Sequence, residues 1–259
     1  MSLNPKISEW TGKRVWLLGA SSGIGAALAQ ALAARGARLV LSARHVDVIE
    51  RLRVQLPGDD HLAVACDATE PAQIEAARLT VRAAWGGVDV AVYMAGDYVP
   101  LHASDFMPSE VRRLCEVNYL GAVNFAYTAL PLLPRDNSGG LVLVSSVAGY
   151  RGLPKALGYG PSKAALSHFA EVLHLELRPQ GVGVWLVNPG FVATRLTAQN
   201  DFRMPALISP QTAADAFLDG MADGAFEIHF PKRFTRFMKL LRLLPDCLYF
   251  RLVRRFAGD

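Results

Sequence analysis

Short apolar runs alternate along this chain with longer segments whose apolar residues recur at helical spacing. The short runs cover residues 14–19, 37–43, 61–66, 88–94, 141–145, 182–188 and 226–230. Several are nearly continuous Val and Leu, which is typical of parallel strands buried on both faces. Strand–helix alternation of this kind predicts an α/β fold with a doubly wound parallel sheet and helices on both of its faces.

The segments between these runs predict the helices and the domain organisation. Helical spacing and length are clearest in residues 26–35, 72–85, 111–133 and 157–177. We find no internal repeat and no low-complexity linker within the 259 residues. The sequence therefore predicts one domain over residues 1–230, followed by a distinct tail over residues 231–259.

Composition excludes several classes of protein. Hydrophobic residues make up 51% of the chain and charged residues only 19%, which excludes a disordered chain. Cys66, Cys115 and Cys247 are dispersed, so they form no zinc site, and we expect no metal. Unpaired cysteines suit a reducing compartment, and the amino terminus lacks the apolar run of a signal peptide. We therefore expect a cytoplasmic protein.

Positive charge is concentrated in the tail. Residues 231–259 contain eight Lys or Arg and two Asp, a net charge of +6, whereas the rest of the chain has a net charge of −2. This distribution argues against a nucleic-acid-binding protein. The tail's apolar residues fall at helical spacing: Phe234, Phe237, Met238, Leu241, Leu244, Leu248, Tyr249, Leu252, Val253 and Phe256. Basic amphipathic helices are typical of contact with a membrane surface; packing on the sheet, on a partner subunit or over a substrate mouth remains open.

A glycine-rich turn follows the first predicted strand. Residues 19–25 read Gly-Ala-Ser-Ser-Gly-Ile-Gly and lead into an Ala-rich helix. Glycines at such a turn permit a tight bend and a close approach to a pyrophosphate, which the free N–H groups of the helix start then bind. The spacing differs from the usual Gly-x-Gly-x-x-Gly, and a plain glycine turn is the alternative.

Two polar residues follow the second and third predicted strands. A site specific for NAD carries a carboxylate after the second strand. This chain has Arg44 there instead, with no acid before Asp47, and an arginine suits a 2′-phosphate. Asp67, after the third strand, suits either an adenine amino group or a cap of the next segment. Arg44 can also be read as a solvated arginine at a helix start.

A group of polar residues in the second half of the chain suits proton transfer. Tyr159 and Lys163 are four residues apart and share one face of a predicted helix. A nearby positive charge lowers the pKa of a phenol, so that it can exchange a proton near neutral pH. Ser146 ends the preceding buried strand beside Ser145, and strand alternation directs only one of the two toward the site. Asn118 lies in an uncharged helical stretch and is either functional or a satisfied core amide.

Five linked motifs in this order resemble the short-chain dehydrogenase/reductase family. They are residues 19–25, Val117-Asn118-Tyr119-Leu120-Gly121, Ser145-Ser146-Val147-Ala148-Gly149, Tyr159-x-x-x-Lys163 and Asn188-Pro189-Gly190-Phe191-Val192-x-Thr194. The resemblance spans about residues 10–230. It implies a seven-stranded Rossmann sheet, a nicotinamide cofactor, a small carbonyl or alcohol substrate, and a dimer or tetramer through the helices that contain Asn118 and Tyr159.

The resemblance also implies the roles of individual residues. Tyr159 is the general acid–base, Ser146 orients the carbonyl, Lys163 holds the nicotinamide ribose and lowers the pKa of Tyr159, and Asn118 holds a relay water. The positions that contact the cofactor are Gly19, Ser21, Ser22, Gly23, Ile24, Gly25, Arg44, Asp67, Ala95, Gly96, Val117, Tyr159, Lys163, Pro189, Gly190, Val192 and Thr194. Arg44 matches members that prefer NADP(H), with NAD(H) as the alternative cofactor.

The chain departs from the family's pattern after the fourth strand. The family commonly has Asn-Asn-Ala-Gly there, whereas this chain has Tyr93-Met94-Ala95-Gly96. Both amides that tie this strand to its neighbours are missing. We expect cofactor binding to survive with different local packing.

The predicted substrate loops are mainly apolar, which favours a lipophilic ketone or alcohol. Their apolar residues are Tyr98, Val99, Leu101, Tyr150, Leu153, Leu157, Phe191, Leu196, Phe202, Met204 and Leu207. Their charged residues are Asp97, Asp105, Arg151, Lys155, Arg195, Asp201 and Arg203. The same apolar residues can instead pack the loops onto the sheet. An NADP(H)-dependent oxidoreductase is therefore the predicted function; an NAD-linked alcohol dehydrogenase, a cofactor-binding sensor or a membrane-peripheral scaffold are the alternatives.

Overall fold

The computed structural model describes residues 2–200 and 204–257, with side chains described through residue 255. Seven strands form one parallel sheet in the order β3-β2-β1-β4-β5-β6-β7. The strands are β1 Arg14–Leu18, β2 Arg38–Ala43, β3 Leu62–Ala65, β4 Val90–Tyr93, β5 Gly140–Val144, β6 Gly183–Pro189 and β7 Glu227–Phe230. The predicted doubly wound sheet and its seven strands are confirmed.

Helices cover both faces of this sheet. They are α1 Gly23–Ala33, α2 Val46–Arg53, α3 Pro71–Trp85, α4 Pro108–Cys115, α5 Gly121–Ala129, α6 Tyr159–Leu177, α7 Pro210–Ala222, α8 Lys232–Arg242 and α9 Asp246–Ala257. Alternate residues of each strand point to opposite faces. In β1, Leu17 packs in a core with α1, α2 and α7, whereas Trp16 packs in a second core with α3, α5 and α6.

The predicted continuous helix over residues 111–133 is wrong, because the structure divides it. α4 ends at Cys115, a π-helical turn covers Glu116–Leu120, and α5 begins at Gly121. A 3₁₀ turn over Leu130–Leu132 completes the segment. Single π turns inside helices often occur at functional sites, and this one contains Asn118.

The tail forms two helices that pack against the body of the protein. Met238, Leu241 and Tyr249 make a small core of their own, against which Tyr150 and Leu153 from the loop after β5 pack. Within residues 2–200 and 204–257, no helix combines the length and the hydrophobicity needed to cross a bilayer.

The sheet order creates a crevice at the carboxyl ends of β1 and β4. The chain moves outward from β1 to β2 and β3, then returns to β4 on the other side of β1. In open α/β sheets, ligands bind at such a switch point, outside the carboxyl ends of the strands. The glycine-rich turn after β1 and residues 95–97 after β4 both lie at this edge.

Candidate active site

The glycine-rich turn is held tightly against the end of β4. Gly19 has φ +105°, and a Cβ there would stand 2.5 Å from the backbone N of Ala95. A Cβ on Gly25 would lie 2.9 Å from Met94 Sδ, so this glycine lets α1 approach the sheet. Ile24 packs on the core beneath α1. The turn is therefore narrow because the neighbouring strand end leaves no room for a side chain.

The start of α1 is open for an anionic group. Ser22 precedes the helix, is exposed, and makes no capping hydrogen bond through its side chain. Ser21 is half-buried, and no acidic residue lies in the first turn of α1. Free N–H groups and the positive end of the helix dipole favour a phosphate at this position.

The loop after β6 lies beside this helix start. A Cβ on Gly23 would lie 2.9 Å from Thr194 Cγ2, so the two predicted cofactor residues are brought together. Thr194 N donates a hydrogen bond to Thr197 Oγ1 at 3.0 Å, and Thr197 Oγ1 donates to the carbonyl of Val192 at 2.6 Å. A groove of about 600 Å³ runs between α1 and this loop.

The polar residues that follow β2 and β3 differ in their side-chain partners. Arg44 is exposed and makes no side-chain hydrogen bond or ion pair with any described residue. Asp47 is paired with Arg51 at 3.0 Å. Asp67 Oδ1 accepts hydrogen bonds from Thr69 N and Thr69 Oγ1 at 2.9 and 2.8 Å, so this oxygen caps the following turn.

Ser145 and Ser146 have different partners. Ser145 Oγ donates a hydrogen bond to the backbone carbonyl of Lys163 at 2.8 Å and lies 2.9 Å from Ser167 Oγ. Ser146 Oγ accepts a hydrogen bond from Ala148 N at 3.1 Å, and the Ser146 side chain acts to lower the pKa of Tyr159. Strand alternation thus directs Ser145 into α6 and Ser146 toward the tyrosine.

Tyr159 lies at the first turn of α6 beside Ser146 and Tyr98. The rings of Tyr98 and Tyr159 meet edge to face, with centroids 5.1 Å apart. Burial raises the pKa of Tyr159 above its ordinary value, while the hydrogen bond from Ser146 opposes the rise. Burial therefore acts against the lowering of this pKa that the resemblance implies. The desolvation of the hydroxyl outweighs any effect of the nearby lysine, whose Nζ lies 5.8 Å from the ring centroid.

Lys163 is buried, with 4% of its surface exposed. Its Nζ donates a hydrogen bond to the carbonyl of Val144 at 2.9 Å. Burial lowers the pKa of Lys163 to about 7. Among the described residues no carboxylate pairs with this Nζ, which is held at the end of β5 by a backbone carbonyl.

Asn118 is fully buried and is tied to the segment after β4. Its Oδ1 accepts from Asp97 N and its Nδ2 donates to the Asp97 carbonyl, both at 2.9 Å, while Nδ2 also lies 3.1 Å from Ser162 Oγ. A Cβ placed on Gly96 would stand 3.2 Å from Asn118 Oδ1 and 3.5 Å from Lys163 Nζ. Asn118, Lys163 and the end of β4 therefore meet at one point.

The missing amides after β4 are replaced by other contacts. Tyr93 is fully buried, and its hydroxyl donates a hydrogen bond to the carbonyl of Val117 in the π-helical turn. The hydroxyl occupies the space beside Gly121, where any Cβ would collide with it. Tyr93 thus holds the turn that carries Asn118, and Met94 packs on Gly25. The expected difference in local packing is present.

The end of β6 joins the site to the tail. Pro189 ends β6, and Gly190 N donates to the Phe230 carbonyl at 2.7 Å. Phe234 of α8 lies against Gly190 and packs on Phe191, with ring centroids 5.4 Å apart. These contacts make α8 part of the wall behind the predicted cofactor residues of this loop.

Charged residues near the predicted substrate loops are engaged with other side chains. Asp97 pairs with Arg113, and Arg151 pairs with Asp246 while donating to the carbonyl of Leu244 at 2.6 Å. Asp201, Phe202 and Arg203 were predicted for the same region and lie outside the described residues.

Sequence reasoning missed several residues that support the site. Ser162 bonds Asn118 and lies within the Tyr-x-x-Ser-Lys run, which is a local signal. Tyr98 and Asp97 were predicted only as pocket residues, yet Tyr98 meets the Tyr159 ring edge to face and Asp97 anchors Asn118. Glu227 was not predicted; it binds Asn188 at 2.8 Å, Tyr150, and Lys239 of α8 at 2.6 Å. Only the fold brings Glu227 to these partners.

Comparisons with known proteins identify relatives along most of the chain. Residues 13–203 match the model of the short chain dehydrogenase family. An uncharacterized oxidoreductase of Myxococcus xanthus is 35% identical over 252 residues, covering 96% of this chain and 99% of the relative. An uncharacterized oxidoreductase of Staphylococcus aureus is 30% identical over 208 residues, or 80% of this chain and 90% of its own.

Solved structures agree as well. A short-chain dehydrogenase from Burkholderia cenocepacia, determined in complex with NADP, has 26% identity and a TM-score of 0.83, covering 95% of this chain and 99% of its own. An alcohol dehydrogenase from Thermococcus sibiricus, complexed with 5-hydroxy-NADP, has 26% identity and a TM-score of 0.77 over 84% of this chain and 95% of its own. The protein therefore belongs to the short-chain dehydrogenase/reductase family of oxidoreductases.

Proposed function

We propose that this oxidoreductase interconverts a lipophilic ketone and its secondary alcohol, with NADP(H) as the preferred cofactor. The observation that carries the proposal is the meeting of Tyr159, Ser146, Lys163 and Asn118 at the carboxyl edge of the sheet. The glycine-rich turn reaches the same edge, so a dinucleotide bound there would have its reactive end near these side chains.

The residues around the crevice fit a nicotinamide dinucleotide. The narrow turn at Gly19 admits no side chain, and the start of α1 offers unpaired N–H groups to a pyrophosphate. Ala95 and Gly96 are small residues that follow β4 at this edge, and Thr194 lines the groove beside α1. When bound, the nicotinamide supplies or accepts the hydride of the reaction.

Tyr159 performs the proton transfer in this proposal. Because burial raises its pKa, the phenol keeps its proton at neutral pH and can donate it to the carbonyl oxygen during reduction. Ser146 donates a hydrogen bond to the same oxygen and orients it. Lys163 holds the cofactor ribose through its Nζ, and Asn118 holds a water in the path that returns the proton.

Arg44 supports the preference for NADP(H). Its side chain follows β2, is exposed and is free to bind a 2′-phosphate, while Asp47 is already paired with Arg51. Two structurally similar proteins were determined with NADP or a derivative of it.

The ion pairs of nearby charged side chains support a lipophilic substrate. Asp97 and Arg151 are bound to other charged side chains, so they are not available to a polar substrate. Tyr98 presents an aromatic ring directly beside Tyr159. Met204 and Leu207 line the adjoining groove.

A series of 2-alkanones of increasing chain length tests the reaction and the substrate class together. Burial of each added methylene contributes about 0.8 kcal/mol, so kcat/KM should rise by about fourfold per methylene until the pocket is filled. Oxidation of NADPH would be followed, with a keto sugar as the polar comparison and Tyr159→Phe as the inactive control. A flat series would overturn the lipophilic pocket, and no turnover of any ketone in either direction would overturn the reaction.

We also propose that the protein works in the cytoplasm as a dimer or tetramer. Its three cysteines are free, which suits a reducing compartment. α5 follows Asn118 in the chain and leaves Tyr127 82% exposed. α6 begins at Tyr159 and leaves Leu175 74% exposed. Exposed apolar residues on these helices support a subunit interface, and light scattering of wild type and Leu175→Glu would test it.

We propose residues 1–230 as the catalytic domain and residues 231–259 as a tail that can contact a membrane surface.

A further inference from the structure

The two tail helices leave a group of large apolar side chains in solvent. We call this group, together with the three arginines that follow it, the tail surface. Its apolar residues lie within fourteen positions of the chain and are Phe237, Leu240, Leu243, Leu248 and Phe250. Its arginines are Arg251, Arg254 and Arg255. The apolar members are 45–79% exposed. Phe237 and Leu240 are three residues apart and share one side of α8. Monomeric soluble proteins seldom expose apolar groups this densely without a partner.

The arginines of the tail surface are unneutralised. Arg251, Arg254 and Arg255 are exposed and pair with no carboxylate in the described parts of the chain. Together with Phe250 and Cys247 they line a cleft of about 510 Å³. Asp246, the acidic residue at the start of α9, is already bound by Arg151. A cleft with three guanidinium groups beside an exposed aromatic ring suits a phosphate that is attached to an apolar chain.

The opposite side of the tail is anchored to the body of the protein. Lys239 pairs with Glu227 at 2.6 Å, and the Tyr249 hydroxyl donates to the Gly152 carbonyl at 2.7 Å. The Arg151 guanidinium lies 4.0 Å from the centre of the Tyr249 ring. Phe250 of the tail surface also takes part, with its ring centre 5.9 Å from the Arg151 guanidinium. These contacts fix the orientation of α8 and α9, and leave the apolar side chains of the tail surface 45–79% exposed.

We infer that the tail surface binds the face of an anionic lipid bilayer. Apolar side chains flanked by basic residues are the composition of interfacial helices, which bury the former among acyl chains and hold the latter at headgroup phosphates. Pairing with the tail of a second copy is disfavoured, because each tail carries a net charge of +6.

This orientation has a consequence for the substrate, which rests on the proposed function. The tail packs directly on Tyr150 and Leu153, four and seven residues after Ser146. A bilayer held on the tail surface therefore lies next to the loop that borders the proposed site. Substrates dissolved in the membrane would reach the enzyme from that side.

Flotation with lipid vesicles tests the inference independently of catalysis. The full chain would be mixed with phosphatidylcholine vesicles that contain or lack phosphatidylglycerol. We expect flotation only with the anionic vesicles and a decline as salt is raised. Arg251→Glu/Arg254→Glu/Arg255→Glu should lower the partition coefficient by more than about 100-fold, because three basic residues are lost and three carboxylates that the anionic surface repels are gained. Phe237→Ser/Leu240→Ser should lower it as well, with the charge unchanged.

A variant with the same change of charge elsewhere controls for net charge alone. Lys6, Arg35 and Arg82 are exposed residues of the body, and their replacement by Glu should leave flotation close to wild type. Thermal unfolding of every variant checks that the fold is retained. Failure of the wild-type chain to float, or equal loss in the control and tail variants, would overturn the inference. Tail-dependent self-association without vesicle binding would assign the surface to a second copy instead. Turnover of ketones without flotation would leave the proposed function intact.

Discussion

The polar residues at the end of β5 and those of the tail are placed in opposite environments. Ser146 and Lys163 are 8% and 4% exposed, whereas Arg251, Arg254 and Arg255 face solvent. Burial changes the pKa of Lys163 and Tyr159, because a low-dielectric surrounding disfavours their charged forms. The tail arginines are exposed, so their guanidinium groups are accessible to a partner. In this protein, burial shifts the pKa values of the residues proposed for proton transfer, whereas exposure leaves the tail arginines accessible to a partner.

Ser146→Ala should have the largest effect on the buried side of this comparison. Loss of a hydroxyl that orients the reacting oxygen should reduce kcat by about 100- to 1,000-fold. Ser145→Ala provides the matched control, because Ser145 bonds α6 instead of Tyr159. Steady-state kinetics with NADPH and the best 2-alkanone would measure both. Equal losses in the two variants would show that the serines act only by supporting the structure.

Lys163→Met should make the stability of the cofactor-free protein less dependent on pH. Folding lowers the pKa of Lys163 from 10.5 to about 7, so between these values the unfolded chain binds more protons and stability rises with pH. Below about pH 7 the full cost of burying the ammonium is present. The variant should therefore gain roughly 5 kcal/mol over wild type near pH 6 and progressively less toward pH 10.

Urea unfolding across this range would measure the gain. Lys6→Met is the control, because Lys6 is exposed. A difference between Lys163→Met and wild type that does not change with pH would contradict the lowered pKa.

Arg44→Ala tests whether an exposed arginine in the body of the protein also serves an anionic partner. Charge-assisted hydrogen bonds contribute about 1.5 to 3 kcal/mol, so the Kd for NADPH should rise by about 10- to 100-fold while that for NADH changes little. Fluorescence titration with the two cofactors would measure it. Arg51→Ala should affect neither, since Arg51 is paired with Asp47 on the exposed side of α2. Parallel weakening of NADH and NADPH binding would remove the 2′-phosphate assignment.

Tyr93→Phe should have the smallest effect. It removes the hydroxyl that bonds the Val117 carbonyl and leaves that carbonyl without this donor. The free energy of unfolding should fall by about 1 to 2 kcal/mol. Chemical denaturation would compare it with Tyr127→Phe, whose ring is 82% exposed and whose change should be close to zero. An unchanged stability in Tyr93→Phe would mean that the bond contributes nothing to holding the π-helical turn.

The sheet could be predicted from the sequence because its strands are buried on both faces and therefore read as continuous apolar runs. The run over residues 14–19 became β1 Arg14–Leu18, and that over 37–43 became β2 Arg38–Ala43. The π-helical turn could not be predicted in this way. Its position depends on bonds from Asn118 to Asp97 and from Tyr93 to Val117, which join segments more than twenty residues apart.

The residues of the candidate site could be predicted from the sequence, but the directions of their pKa shifts could not. Local motifs identified Ser146, Tyr159 and Lys163, and alternation along β5 distinguished Ser146 from Ser145 once the partners were known. The direction of the Tyr159 pKa depends on how deeply its hydroxyl is enclosed and on Tyr98, which comes from the segment after β4. Sequence spacing carries no information about either.

By itself, the sequence determined the order of strands and helices, the glycine-rich turn, the spacing of Tyr159 and Lys163, and the concentration of charge in the tail. Each of these depends on residues that are close together in the chain. The tertiary structure alone decided that Asn118 bonds Asp97, that Glu227 joins Asn188 to Lys239, and which side of α8 and α9 faces solvent. Hydrogen bonds and burial of this kind form between segments distant in sequence, so they exist only once the chain has folded.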